Sequence, residues 1–244
     1  MSKLLEVKGI SKRFGGLQAV SELSFDLNEG EILGLLGPNG AGKTTAFNMI
    51  AGALRTDTGD ILFDGQSLVG KAPWDICKLG VGRTYQLSKP FGGLTVVENV
   101  MVGAFVRTRS EAEARREAEQ IVDFLGLSDK AGIDADDLTA VDRRKLELGR
   151  ALATKPRLLL MDEVVAGATP QEAGEMVELV KLVRDRGVTI LIVEHVMKVI
   201  MGLSDRVIVL DYGKLIANGV PRDVVNQPEV MKAYFGERYV QSRT

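Results

Sequence analysis

The sequence predicts an α/β fold on a mainly parallel sheet, with a small antiparallel β part near the N-terminus and an inserted helical part. Two observations carry this. Four apolar runs, at 32–36, 158–161, 188–193 and 206–210, are nearly continuous rather than alternating, as strands covered on both faces require. Helical patterns at 44–51, 170–186 and 195–202 follow three of them, and strand–helix–strand repetition gives parallel strands joined by right-handed crossovers.

The remaining elements follow from shorter patterns. The first 30 residues and "GDILFDGQSL" (59–68) are turn-rich and alternating, which suits a small antiparallel sheet laid on the main one. Between residues 89 and 137 the pattern turns helical, and "EAEARREAEQIVDFLGL" places Ile121, Phe124 and Leu125 on one face, with charges elsewhere. Pro90, Gly92 and Gly93 form a hinge-like lead into this segment. The chain therefore divides into a core, 1–88 with 138–244, and a helical subdomain, 89–137, within one domain.

Composition narrows the function classes. A net charge of -2 gives no basic excess, so a nucleic-acid partner is not expected. The single Cys77 excludes an internal disulfide and fits a reducing compartment. "MSKLLEVKGI" lacks the basic start and long apolar stretch of a secretion signal. No apolar run approaches the ~20 residues that span a bilayer. The expectation is a cytoplasmic chain that meets a membrane through a partner.

"GPNGAGKTT" (37–45) matches G-x-x-x-x-G-K-[ST] and stands between an apolar strand and a helix, the context the motif requires. Its glycines let successive N–H groups, those of Asn39, Gly40, Ala41, Gly42, Lys43, Thr44 and Thr45 among them, point at phosphate. The helix N-terminus adds positive potential. Lys43 then meets the β- and γ-phosphates, and the Thr44 hydroxyl can ligate Mg²⁺. This makes the fold a phosphate-loop NTPase core and implies a nucleotide and Mg²⁺ as ligands. The second half of such a site is an acid at another strand end. "RLLLMDE" supplies Asp162 for the metal shell and Glu163 to orient or deprotonate water. Two further strand ends carry Gln86 ("GVGRTYQ") and the only histidine, His195 ("VTILIVEH"), on the edge of a parallel sheet where ligands bind.

The order of "GPNGAGKTT", Gln86, "LTAVD" (138–142), "LLLMDE" and His195 resembles the nucleotide-binding subunit of ABC (ATP-binding cassette) transporters, over essentially the whole chain. Within that class, "RFGGLQAV", "LTVVENVMVGA", "LIVEHVMKVIMGLSDRVIVLDYGKLIANGVPRDV" and "PEVMKAYFGE" look most like the ATP-binding subunits of branched-chain or hydrophobic amino-acid importers. The resemblance implies a RecA-like core that binds ATP with Mg²⁺, in which Phe14 stacks on adenine and Val20 lines the base or ribose. It implies that Gln86 approaches Mg²⁺ and the attacking water, that Glu163 is the catalytic base, and that His195 contacts the γ-phosphate. It implies a head-to-tail pair, with a second copy or a sister ATPase subunit, in which Thr139, Ala140 and Val141 face the partner's nucleotide. The resemblance further implies that residues 87–102 face integral membrane permease subunits. It also implies a periplasmic solute-binding protein as an indirect partner and a peripheral place for the chain on the inner face of the cell membrane.

Departures fall at the expected pair interface. The common Leu-Ser-Gly-Gly-Gln is Leu138-Thr139-Ala140-Val141-Asp142 here, Val164 replaces the usual Pro, and Thr169 replaces an acid or amide. Asp142 favours the helix dipole but opposes a nearby phosphate. Thr139 also reads as a plain helix cap, with Val141, Leu148 and Leu152 giving that helix a buried face. Alternatives within the class are the ATPase of lipopolysaccharide export and an importer for another solute such as urea or amides. Outside transport stand a chromosome or repair ATPase, disfavoured by the short insertion without sustained heptads, and a non-hydrolysing nucleotide switch.

Overall fold

The computed structural model describes residues 2–85, 89–194 and 196–235. β1 (Lys3–Phe14) and β2 (Leu17–Asn28) form a long hairpin, β3 (Ile32–Leu36) leads into α1 (Lys43–Ile50), and β4 (Thr58–Phe63) turns back as β5 (Gln66–Ser67). Then follow α2 (Pro73–Leu79), β6 (Val81–Arg83), α3 (Val96–Ala104), α4 (Glu111–Phe124) and α5 (Ala140–Ala153). The chain returns to the main sheet through β7 (Leu158–Asp162), α6 (Pro170–Asp185), β8 (Thr189–Val193), α7 (Met197–Leu203), β9 (Arg206–Asp211) and β10 (Lys214–Gly219). It ends, as described, in α8 (Pro221–Val224) and α9 (Pro228–Phe235).

Two sheets result. The antiparallel one has the order β2-β1-β4-β5, and the larger runs β10-β9-β3-β8-β7-β6, parallel except for β10 against β9. The expected strands are present, and their continuous apolar character has a direct cause. In β3, Leu33 and Leu35 pack toward the antiparallel sheet and α1, whereas Ile32 and Leu36 pack toward the helices on the other face. β7, β8 and β9 split their residues in the same way, so each strand feeds two apolar layers.

The helical faces are rotated from expectation. In α4 the buried line is Ala114, Ala118 and Val122, continued by Leu125, while Ile121 and Phe124 flank it half-buried. Small residues set the closeness of this layer: a Cβ on Gly103 of α3 would lie 2.3 Å from the Arg150 carbonyl oxygen of α5. α5 packs on α3 and α4, buries Leu146, Leu148 and Gly149, and leaves Val141 and Leu152 half-buried. Asp142 and Glu147 are buried in the same helix, which its hydrophobic pattern does not reveal.

The parallel register brings Leu36 beside Val209 and Asp162 beside Val193. The carboxyl ends of β3, β7, β8 and β9 therefore share one edge, the edge at which open α/β sheets bind ligands.

Candidate nucleotide site

The loop from Gly37 to Gly42 joins a wholly buried strand to α1 and needs glycine at two places for steric reasons. Gly37 has φ 147° and Gly42, the N-cap of α1, has φ 99°. A Cβ on Gly42 would lie 2.4 Å from the carbonyl oxygen of Ala19, in the β1–β2 hairpin. The loop is thus seated directly on the antiparallel sheet. Asn39, Gly40, Ala41, Gly42, Lys43, Thr44 and Thr45 line one side of an open cleft of about 440 Å³. Phe14, Leu17, Gln18, Asp162, Glu163 and the exposed Tyr212 line the same cleft.

Lys43 is 6% exposed, and its Nζ donates to the carbonyls of Gly37 at 2.7 Å and Pro38 at 2.9 Å. Burial pushes its pKa down, against the pull of Glu163 and Asp162, which places both carboxylates within electrostatic reach of the ammonium. Glu163 has φ 50°, a left-handed backbone uncommon for a residue with a Cβ, and its N–H donates to the Val193 carbonyl at 2.9 Å. That bond ties the end of β7 to the end of β8. Thr84, buried at the end of β6, accepts from the Asp162 N–H at 3.4 Å. The cleft can therefore hold a polyphosphate against backbone N–H groups and one cation, with two carboxylates beside it.

Placement of the other expected residues differs from one to the next. Phe14 is 48% exposed and its ring faces the cleft, as a base-stacking residue requires. Val20 is fully buried in the core beneath the loop, so its side chain does not reach the cleft surface, which Leu17, Gln18 and Ala19 before it line instead. Gln86 and His195 lie outside the described residues. Thr139, Ala140 and Val141 do not line this cleft; Thr139 caps α5, and Thr139 and Ala140 are exposed at its tip. Asp142 is buried and paired within the chain. Its carboxylate is 2.8 Å from Lys130 and accepts the Thr139 hydroxyl at 2.7 Å. Thr169 caps α6 in a box with Glu172, accepting from its N–H at 3.3 Å and donating its own N–H to its carboxylate at 2.7 Å.

Two residues near the site carry no sequence signal. Glu194 is 2% exposed and accepts from the Val165 N–H at 2.9 Å, fixing the loop after Glu163 to the position just before His195. Glu147 pairs with Arg150 at 2.6 Å and accepts from the Tyr85 N–H; burial pushes its carboxyl up despite both partners. Each acid answers a group distant in sequence, which no local pattern announces. Arg144 of α5 also donates to the Ala166 carbonyl, so the helix behind Thr139 is bonded to the loop that follows Glu163.

A phosphate loop on a parallel-sheet edge, an acidic pair on the neighbouring strand and a helical layer carrying a capped tip define an ABC-type ATPase. The chain belongs to the ABC transporter family, whose profile matches residues 20–166. A second profile, described as a branched-chain amino acid ATP-binding cassette transporter, matches residues 214–240. The high-affinity branched-chain amino acid transport ATP-binding protein LivG of Escherichia coli (strain K12) is 40% identical, over 96% of this chain and 98% of its own. The corresponding protein BraF of Pseudomonas aeruginosa is 37% identical over the same shares. A solved ATP-binding cassette of an ABC transporter in its ADP conformation superposes with a TM-score of 0.88 at 30% identity, covering 97% of this chain and all of that one. The expected fold class, nucleotide binding and ATP hydrolysis agree with these findings. Among the described residues no helix is long and apolar enough to cross a membrane.

Proposed function

We propose that this chain is the ATP-hydrolysing subunit of an importer for branched-chain or related hydrophobic amino acids. The observation that carries the reading is the match of residues 214–240 to the branched-chain profile, beyond the cassette itself. The cassette match, 20–166, is common to transporters of many solutes, so the C-terminal segment is the part that discriminates. It also favours import over lipopolysaccharide export.

In this reading Lys43 and the N–H groups of 39–45 hold the β- and γ-phosphates, and Phe14 stacks on adenine. Leu17 and Gln18, at the cleft surface, take the place on the base or ribose first given to Val20. The donor set fits Mg²⁺: the hydroxyl of Thr44 and the carboxylate of Asp162 are hard oxygen ligands lining the same cleft, and the Gln86 amide oxygen would be a third. Bound there, Mg²⁺ supplies positive charge to the phosphate oxygens. Glu163 orients the attacking water and takes its proton, and His195 contacts the γ-phosphate. Thr139, Ala140 and Val141 serve the nucleotide of a second copy or a sister subunit. Membrane permease subunits dock on 87–102, which keeps the chain on the inner face of the cell membrane, and a periplasmic solute-binding protein delivers the solute. The helical subdomain of 89–137 is joined to the core through α5, which packs on α3 and α4.

The test is uptake of labelled leucine in cells deleted for this chain. Restoration by wild type and not by Lys43→Ala supports the reading. Leucine uptake indifferent to the deletion overturns it.

A further inference from the structure

Gly37, where β3 hands over to the phosphate loop, has both of its peptide groups held. Its carbonyl accepts from Lys43 Nζ at 2.7 Å, and its N–H donates to the phenol oxygen of Tyr234 at 2.7 Å. Tyr234 lies in α9, 197 residues further along the chain. Its ring packs against the helical-side core, and burial pushes the phenol pKa up, so the hydroxyl stays protonated across the neutral range. The loop has no slack at this point, since a Cβ on Gly37 would lie 2.3 Å from the Leu210 carbonyl oxygen. The same C-terminal part of the chain also holds the crest of the loop: Gly213, in the turn between β9 and β10, donates its N–H to the Ala41 carbonyl at 3.0 Å.

We propose that Tyr234 is a positioning residue for nucleotide binding, which fixes the Gly37 peptide so that the loop keeps its shape when Lys43 turns to phosphate. An ammonium has three N–H donors. Lys43 spends two on the Gly37 and Pro38 carbonyls, so engaging two phosphate oxygens releases at least one of them. The Tyr234 bond is on the opposite group of the same residue and is untouched by that exchange. The C-terminal segment thus has a task at the nucleotide site. The inference rests on Lys43 being the phosphate ligand.

Wild type, Tyr234→Phe and Val230→Ala are compared for binding of a fluorescent ATP analogue with Mg²⁺, for thermal unfolding without nucleotide, and for amide exchange at Gly37. Val230 is buried on α9 and serves as the packing control. Tyr234→Phe keeps the ring but leaves the Gly37 N–H without its acceptor. Faster Gly37 exchange and binding weakened about tenfold are expected, the scale of one lost buried hydrogen bond. Val230→Ala lowers the unfolding midpoint and binds as wild type does. Tyr234→Phe with wild-type affinity overturns the proposal, as does equal weakening in Val230→Ala, which would make the effect one of helix stability. Failure of wild type itself to bind overturns the reading of Lys43 instead, and unchanged Gly37 exchange in Tyr234→Phe overturns the Tyr234 contact on its own.

Discussion

The hydroxyl of Thr139 donates to the carboxylate of Asp142 at 2.7 Å and accepts from the Asp142 N–H at 3.2 Å. The same carboxylate lies 2.8 Å from Lys130 and is turned inward, with Asp142 only 7% exposed. The hydroxyl and the charge are therefore both used within the chain. What the tip of α5 offers outward is the N–H groups of Ala140 and Val141, which have no acceptor inside the helix. In the proposed reading, an anion at this tip would be met by the backbone rather than by a side chain.

Ala140→Pro tests that statement. Proline at the first helical position removes one N–H without disturbing the helix, and Thr139 before it, at φ -62° and ψ 163°, already has the extended backbone that a following proline demands. Stability should change by less than about 0.5 kcal/mol. ATP-driven pairing, followed by sedimentation in a Glu163→Gln background, should weaken several-fold. Pairing as strong as before would mean that α5 meets its partner by other groups. Thr139→Ala is less selective, since losing the cap costs about 1 kcal/mol by itself.

The Asp142 cluster also predicts a pH effect. Burial pushes this carboxyl up, but hydrogen bonds from Lys130 and Thr139 more than offset it and leave its pKa below the usual carboxylate range. As pH falls, the unfolded chain then takes up this proton before the folded one does. The stabilisation is complete above the unfolded value, about pH 4, and fades as pH drops through the lower folded value. Asp142→Asn should cost about 1–2 kcal/mol at pH 7, and the gap to wild type should narrow toward pH 3. Urea midpoints of both proteins at the two pH values decide this. A constant gap would assign the loss to geometry rather than charge.

How much of this was legible in the sequence depends on the range of the interaction concerned. The strands at 32–36 and 158–161 are readable because burial on both faces imposes an unbroken apolar run, and Gly37–Lys43–Thr44 because a phosphate loop is local in sequence. The burial of Val20 was not legible, because Leu17, Gln18 and Ala19 before it all line the cleft and β2 passes into the core only at Val20. The burial of Asp142 was hidden because its partner Lys130 precedes α5 and belongs to no repeat that links the two. Glu194 and Tyr234 answer backbone N–H groups at Val165 and Gly37, and such pairings exist only once the sheet edge has formed. The rotation of α4 has a simpler cause: its alanines occupy the contact line where larger residues would hold α3 and α5 apart.

In the proposed reading Lys43 serves binding and Glu163 serves turnover. Lys43→Ala removes the buried cation and its bonds to the Gly37 and Pro38 carbonyls, so ATP affinity should fall at least about tenfold. Glu163→Gln keeps the shape of the side chain and should bind ATP nearly as wild type does. Its single-turnover hydrolysis should fall by about 10²–10⁴-fold, the usual contribution of a general base. Equal hydrolysis by wild type and Glu163→Gln would remove Glu163 from that role.

Gly42 tests the seating of the loop on the hairpin. Gly42→Ala meets two penalties, a positive φ of 99° and a Cβ placed 2.4 Å from the Ala19 carbonyl oxygen, a backbone atom with no rotamer to give way. Gly187, in the turn between α6 and β8, has φ 89° with nothing near its would-be Cβ, so Gly187→Ala carries the conformational penalty alone. The control should lose about 1 kcal/mol of stability and keep its nucleotide affinity. Gly42→Ala should lose more than about 2 kcal/mol, because either the loop or the hairpin must move, and its ATP affinity should drop at least about tenfold. Denaturant midpoints and nucleotide titrations on both variants make the comparison. If the two lose stability equally and both bind ATP normally, the Ala19 contact does not set the loop's shape, and the hairpin is only a neighbour of the site.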